Sequence, residues 1–439
     1  MSVLKMMMRK QIAFALIVML GLSLMPVSFQ GLSFNETSAQ ERREKPKTRR
    51  SQVLGKSAFQ KIERAQELLA ERNHAEALSV LNDIIEGTNF KPFEKAVARQ
   101  RMGFVFADQG DYQKTIDIFE KAIASGDLDD RVETDLIYNL AQLNLAEENP
   151  KKALALLDEW FARVGNKPAP DAFAFKAQIH LSLDDYSSAE QSIRTALSKV
   201  QEPKKQWVRI LLAVLLQDER YKEARPHLED AVQRWPGEKS FWQQLSAVYF
   251  DAGDEDLAFV TQQAMYIQGM LTTSKELKRM AQLYLYHDVP IKAAQILDEG
   301  IRSDKIEASA ENYELLANAY MHAREWEKSI KPLTIAAKQS KEGKLYAQLG
   351  QSYLQDEKWK EAESALELAL KKGGLKDEGQ TWLLLGITRT KIDEWEPAIK
   401  AFSKAGDFDD VAKDAFRWIR SIERRLAEMA RLEKEANKP

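Results

Sequence analysis

The chain contains no cysteine among its 439 residues. It can therefore form no disulfide, and a fold in an oxidising compartment would depend on packing alone. A bacterial lipoprotein carries its lipid on a cysteine, so we also expect no lipid anchor. Zinc sites of the finger and ribbon types, which use cysteine ligands, are excluded as well.

Residues that support catalysis or metal binding are also scarce. The sequence has no His-Glu-x-x-His zinc motif and no Gly-x-Ser-x-Gly nucleophile elbow. Gly55, Lys56 and Ser57 resemble the end of a phosphate-binding loop, but Arg50 stands where that motif needs its first glycine. We therefore predict no catalytic residues, no metal site, no cofactor and no enzymatic activity. The five histidines are scattered, at His74, His180, His227, His287 and His322.

Long apolar runs are lacking except near the N-terminus. Lys5, Arg9 and Lys10 precede an apolar run from Ile12 to Leu24, and a small-x-small cleavage site ends at Ala39. This order is typical of a secretory signal peptide, and the run is short for a membrane span. We predict a signal peptide over residues 1–39; an uncleaved membrane anchor is the alternative.

The charge balance bears on the class of partner. The chain has 64 basic and 67 acidic residues, and loss of residues 1–39 leaves 61 basic and 66 acidic, a net charge of −5. An exported acidic protein is not expected to bind nucleic acid. We expect a soluble periplasmic protein of a Gram-negative bacterium, with no stable membrane insertion after cleavage and an oligomeric state left open. Residues 40–57 are strongly basic, which predicts a flexible arm that contacts anionic lipid or an acidic partner, or a solvated linker.

One spaced pattern is present in ten copies. Its clearest copy is Tyr346, Leu349, Gly350, Tyr353, Trp359, Ala362, Leu366 and Ala369. This pattern is typical of the tetratricopeptide repeat (TPR), a helix-turn-helix unit of about 34 residues. We predict an all-α, TPR-type α-solenoid, a right-handed superhelix of about ten repeats over residues 58–407. A small residue marks the second helix of each repeat, at Ala77, Thr115, Ala153, Ala189, Ala224, Ala258, Ala293, Ser329, Ala362 and Ala398.

The spacing also predicts close helix packing and a cap. Gly103, Gly350 and Gly386 fall where paired helices approach most closely, so a Cβ there is expected to hold the helices apart. Residues 408–439 are predicted to form a capping helix with a charged tail, because a solenoid must cover its open end. The apolar face of that helix is predicted to consist of Val411, Ala415, Trp418, Ile422 and Leu426.

The first helices of TPR units line a concave surface. In each repeat, the residue that directly follows the position of Gly103, Gly350 and Gly386 should point into that surface. Six of the ten residues there are amides, which can pair with the backbone of an extended peptide. The competing interpretation is that glutamine is simply a good helix former on a wet surface. Lys278 and Arg279 could receive a carboxylate. The candidate groove residues are Gln66, Gln142, Gln178, Gln243, Gln244, Lys278, Arg279, Gln282, Tyr286, Asn318, His322, Gln348, Gln351 and Gln355.

Several segments resemble the periplasmic TPR proteins that accompany TonB-type energy-transduction systems. They are Ala58 to Ile62, Leu156 to Phe161, Gln268 to Leu271, Met280 to Tyr284, Val289 to Ala294 and Lys372 to Lys376. The resemblance implies a non-catalytic scaffold beside an inner-membrane motor for iron-complex uptake, whose partners are envelope proteins such as TonB-system components. The alternative function is a chaperone or assembly factor for envelope polymers or outer-membrane proteins.

Overall fold

A computed structural model describes residues 53–165 and 168–436. The regular structure in these ranges is entirely helical, with 21 α-helices and no strand. The predicted signal peptide and most of the predicted basic arm lie outside the described residues. Helix α1 begins at Lys56, so the last two residues assigned to the arm belong to the first turn of the first repeat.

The helices form two compact units that divide after Gly237. The helices of the first unit are α1 Lys56–Ala70, α2 His74–Glu86, α3 Pro92–Asp108, α4 Tyr112–Ala124, α5 Asp130–Ala146, α6 Pro150–Val164, α7 Pro170–Ser182, α8 Tyr186–Leu197, α9 Lys205–Gln217 and α10 Tyr221–Arg234. The helices of the second unit are α11 Lys239–Asp251, α12 Glu255–Ile267, α13 Ser274–Tyr286, α14 Pro290–Arg302, α15 Ala310–His322, α16 Trp326–Gln339, α17 Lys344–Gln355, α18 Trp359–Lys372, α19 Glu378–Lys391, α20 Trp395–Ala405 and α21 Ala412–Ala436.

Odd- and even-numbered helices pair from α1 to α20, which gives five helix-turn-helix repeats in each unit. Each first helix packs along its second helix, and within a unit the second helix packs on the next repeat. The small-residue column lies at this contact: Ala77, Ala153 and Ala293 are each completely buried. The prediction of an all-α, TPR-type solenoid is therefore confirmed, while its right-handed superhelical path stays a prediction.

Three glycines allow the two helices of a repeat to approach closely, as predicted. A Cβ added to Gly103 would lie 2.2 Å from a ring carbon of Phe119, and one added to Gly350 would lie 2.5 Å from Leu366 Cγ. Gly386 meets an aromatic ring in the same way. Since real Cβ atoms do not approach that closely, any larger residue would push the paired helices apart.

In every repeat a three-residue turn joins the first helix to the second, and its middle residue has a left-handed backbone. After that residue, an N–H donates to the carbonyl five residues back, as Asn73 does to Leu68 at 2.7 Å. Eight of the ten middle residues are not glycine, so the turn is maintained by packing and not by glycine's freedom. The middle residues, with φ between 54° and 87°, are Arg72, Gly110, Glu148, Asp184, Glu219, Gly253, Asp288, Arg324, Glu357 and Asp393.

Helix α21 covers the end of the tenth repeat, and the prediction of a capping helix is confirmed. Ala415 and Ile422 are buried against the cluster that contains Phe402. The ring of Trp418 stacks on Phe402, with 5.7 Å between centroids and 5° between planes. The last apolar surface of the solenoid is thereby removed from water.

Candidate partner-binding face

All fourteen candidate groove residues lie on the first helices of their repeats, and none of them is buried. Three belong to the first unit and eleven to the second. In each repeat the second helix covers the opposite side of the first, so these side chains occupy the face that the pairing leaves open. We call this accessible surface of α11, α13, α15 and α17 the first-helix face of the second unit.

The first unit carries Gln66 on α1, Gln142 on α5 and Gln178 on α7. Gln66 and Gln178 are exposed, and Gln142 is half-buried. None of their side-chain amides has a hydrogen-bond partner within the described residues. On α3 the equivalent residue is Phe104, whose ring contacts the Phe119 ring edge-on, with 5.3 Å between the ring centroids. The amides therefore do not form an unbroken row in the first unit.

The second unit brings two of the candidates into direct contact. Gln348 Nε2 on α17 donates to Asn318 Oδ1 on α15 across 3.2 Å. Gln282, Asn318 and Gln351 each follow the glycine position of their repeat, in three consecutive repeats. Asn318 pairs with Gln348, three residues before Gln351, so the contact runs obliquely from one helix to the next.

Most of the amide groups on this face have no partner among the described residues. The side chains of Gln282, Gln351 and Gln355 make no hydrogen bond there. Gln348 Oε1 and Gln244 Oε1 are buried and unpaired within the same part of the chain. Both oxygens are shielded from solvent, so the exposed Gln282 and Gln355 are the amides of this face that a ligand can reach directly.

Cationic groups lie beside these amides on α13. Lys278 is half-buried and Arg279 exposed, and neither makes an ion pair within the described ranges. At the other end of α13, Tyr286 is 73% exposed and its hydroxyl donates to Glu255 Oε2 at 3.4 Å. His322, at the corresponding end of α15, is exposed. Basic groups thus occupy one end of this face and aromatic groups the other.

Ion pairs between neighbouring first helices were missed by the sequence reasoning. Lys344 Nζ lies 2.7 Å from Glu314 Oε1 and joins α17 to α15. Lys239 Nζ lies 2.5 Å from Glu276 Oε1 and joins α11 to α13. Pairing opposite charges one repeat apart could have identified both contacts, because repeat spacing brings equivalent positions together.

The Glu276 carboxyl is stabilised in its charged form. Burial by itself would raise its pKa, but hydrogen bonds from Lys239 and from the backbone N–H groups of Thr273 and Thr272 outweigh burial and lower it. This carboxylate also closes a capping box at the start of α13 with Thr273. The start of α13, where Lys278 and Arg279 lie, is thus anchored from two directions.

The part of the chain that the structure describes shows neither a metal-binding cluster nor a helix suited to span a membrane. The described residues contain no group of three or more His, Cys, Asp or Glu side chains that could hold a metal ion. Among the helices of residues 53–165 and 168–436, none has the length and apolarity needed to cross a bilayer.

Comparison with known proteins returned similarities only among solved structures, since no family model and no curated protein matches the chain. MamA (residues 41 to its end) from Desulfovibrio magneticus RS-1 is 17% identical, with a TM-score of 0.36, over 42% of this chain and 99% of MamA. The C-terminal part of a TPR protein from Cytophaga hutchinsonii is 16% identical, with a TM-score of 0.35, over 64% of this chain and 99% of that protein. YrrB, described as a TPR protein with an unusual peptide-binding site, is 22% identical, with a TM-score of 0.33, over 42% of this chain and 91% of YrrB.

Proposed function

We propose that this protein is a non-catalytic periplasmic scaffold that binds an extended segment of an envelope protein on the first-helix face of its second unit. We propose further that it serves as an accessory component of a TonB-dependent uptake system for iron complexes. The protein would recognise its partner through backbone groups and would carry out no reaction itself.

The observation that carries the proposal is the set of accessible, uncommitted amides in the second unit. Gln282, Gln351 and Gln355 offer both donors and acceptors. An extended peptide presents N–H and C=O groups at regular intervals that such amides can satisfy whatever the peptide's side chains are. Lys278 and Arg279 would add charge-assisted contacts to a carboxylate at one end.

The TonB assignment is supported by the resemblance of several segments, and these lie in structurally distinct places. Leu156 to Phe161 and Met280 to Tyr284 lie in α6 and α13, where aromatic and apolar side chains build the core. Gln268 to Leu271 and Lys372 to Lys376 lie at turns between repeats. Since turns are not set by the general TPR pattern, the resemblance there supports a specific family better than the helical segments do.

The binding face can be tested by photo-crosslinking in living cells from position 282, with products identified by mass spectrometry. The matched control is position 361, because Glu361 is exposed on the second helix α18. We expect one envelope protein to be captured from position 282 and not from position 361. Equal capture at both positions, or none at either, would contradict binding on the first-helix face.

The system in which the protein works needs a separate test. Deletion of the gene should impair growth when an iron complex is the only iron source and leave growth on free iron unchanged. Envelope stress under both conditions would instead favour the chaperone or assembly function. Capture of a TonB-system component at position 282 would support the uptake role independently of growth.

A further inference from the structure

A cavity of about 690 Å³ lies along the exposed face of the second helix α14. Side chains from α12, α13, α15 and α16 complete its lining. None of the fourteen candidate groove residues lines it, so the cavity is separate from the first-helix face of the second unit. Its volume falls in the range of about 300–1,000 Å³ that is usual for ligand pockets.

Three tyrosines line the cavity: Tyr266 on α12, Tyr284 on α13 and Tyr320 on α15. Tyr284 and Tyr320 are only 7% and 9% exposed, and their rings pack in a hydrophobic cluster of the second unit. The three hydroxyl groups have no hydrogen-bond partner among the described residues, and none of them belongs to the unpaired atoms that are sealed from solvent. The packed rings therefore direct unpaired hydroxyl groups into the cavity.

Tyr266 is an exception to the repeat pattern. Counted from the small-residue column, no polar residue occupies its position in the other nine repeats; examples are Ile301 and Leu370. Packing of the repeat thus does not require a hydroxyl there. Burial and the nearby Glu299 raise the pKa of the Tyr266 hydroxyl, so the group stays protonated and can donate a hydrogen bond.

The charges around the cavity are balanced. The charged side chains of the lining are Lys292, Asp298, Glu299, Arg302 and Lys328. Arg302 is paired with Asp298 on the same helix. Lys328 Nζ lies 2.9 Å from Glu325 Oε2. The two remaining side chains, Lys292 and Glu299, are opposite in sign, so the cavity favours a neutral polar ligand over an anion or a cation.

We propose that this cavity binds a neutral saccharide. Each phenol hydroxyl can both donate and accept a hydrogen bond, as can the side-chain amide of Gln295, and sugar hydroxyls need partners of both kinds. Ile291 and Ile296 offer apolar surface to the C–H groups of a sugar ring. An extended peptide is disfavoured, because these groups share one compact cavity and do not form a row at the spacing of the repeats.

Titration calorimetry of the purified protein with maltotriose, cellotriose and chitotriose tests the proposal, and triserine is the control probe for a peptide. We expect at least one saccharide to bind with a dissociation constant below about 10 mM. Absence of binding by all three saccharides, or binding of triserine alone, would overturn the proposal. The methyl glycoside of the saccharide that binds identifies the source: retained binding indicates a segment of a longer glycan, and lost binding indicates a free sugar.

Removal of single hydroxyls tests the location of the ligand. Tyr266→Phe and Tyr284→Phe should each raise the dissociation constant about three- to tenfold, because each loses one hydrogen bond to the saccharide and keeps its ring. The matched control is Tyr353→Phe, which lies outside the cavity at the position of Tyr284 two repeats further on and should leave the constant unchanged. The unfolding midpoints of Tyr266→Phe and Tyr284→Phe should match that of the wild type, since these hydroxyls have no partner among the described residues. Equal effects of the three variants on binding would overturn the assignment to this cavity.

Discussion

The side-chain amide of Gln348 donates to Asn318 Oδ1 across 3.2 Å and joins the first helices of two consecutive repeats. The bond uses one donor of Gln348 and leaves its buried Oε1 unpaired within the described residues. It therefore serves as a link between two consecutive repeats. Stability and binding can be tested separately on this face, because Gln348 and Asn318 join two repeats while the Gln351 amide has no partner among the described residues.

For stability, we expect Asn318→Ala and Gln348→Ala to be coupled. A neutral hydrogen bond contributes about 0.5–1.5 kcal/mol, so the double variant should lose less stability than the sum of the two single variants by about that amount. Urea unfolding followed by circular dichroism measures the three differences. Strict additivity would show that the bond does not persist in solution.

For binding, we expect Gln351→Ala to weaken the complex with the captured partner while leaving the unfolding midpoint unchanged. The amide of Gln351 has no partner among the described residues, so its loss removes one or two contacts to ligand, worth roughly three- to tenfold in Kd. Titration calorimetry with the crosslinked segment as a peptide measures the change. Glu361→Ala, on the second helix α18, is the control and should bind like the wild type.

The close packing around Gly350 predicts that a larger residue at this position destabilises the second unit. A Cβ there would lie 2.5 Å from Leu366 Cγ, so Gly350→Ala should destabilise the second unit by about 1–3 kcal/mol through overpacking. Gly237→Ala is a matched control, because nothing lies within 4 Å of its added Cβ and its backbone is not left-handed. Chemical denaturation of both variants decides the point, and an equal loss in the two would refute the steric explanation.

Substitutions at two equivalent left-handed turn residues should change the folding stability in opposite directions. Gly253 has φ 87° and open space around it, so Gly253→Ala should cost about 1–2 kcal/mol from backbone strain alone. Arg324 occupies the same turn position at φ 57°, and Arg324→Gly should relieve strain and raise the melting temperature slightly. The gain should be smaller than the loss, because glycine also increases the entropy of the unfolded chain. A lower melting temperature for Arg324→Gly would show that its side chain stabilises the turn.

The pairing of Glu190 predicts sensitivity to acid. The Arg220 guanidinium donates two hydrogen bonds to this carboxylate and Arg194 donates another, and these outweigh the opposing effect of burial and lower the pKa of Glu190. A depressed pKa in the folded state contributes stability above the usual glutamate value of about 4.3, and this contribution is lost as the pH falls below it. The stability difference between the wild type and Glu190→Gln should therefore be largest near pH 7 and shrink toward pH 3. A difference that does not change with pH would contradict this account.

Much of the architecture could be predicted from the sequence because a solenoid is built from local and nearest-neighbour contacts. The spacing around Gly350 and Ala362 specifies two helices and their close approach, whatever the rest of the chain does. The capping role of Trp418 and Ile422 followed from their helical spacing beyond the last repeat. The placement of all fourteen candidate residues on first helices followed in the same way, since position within a repeat determines the face.

The sequence by itself determined the repeat number, the helix pairs, the close contacts and the face on which Gln282 and Gln351 lie, because each depends on periodicity within about 34 residues. Only the tertiary structure decided that Asn318 pairs with Gln348, that Lys344 meets Glu314, and that Tyr266 and Tyr284 line one cavity. These features depend on the side-chain rotamers of two neighbouring repeats and on what packs beside each helix. A pattern read one repeat at a time does not contain that information.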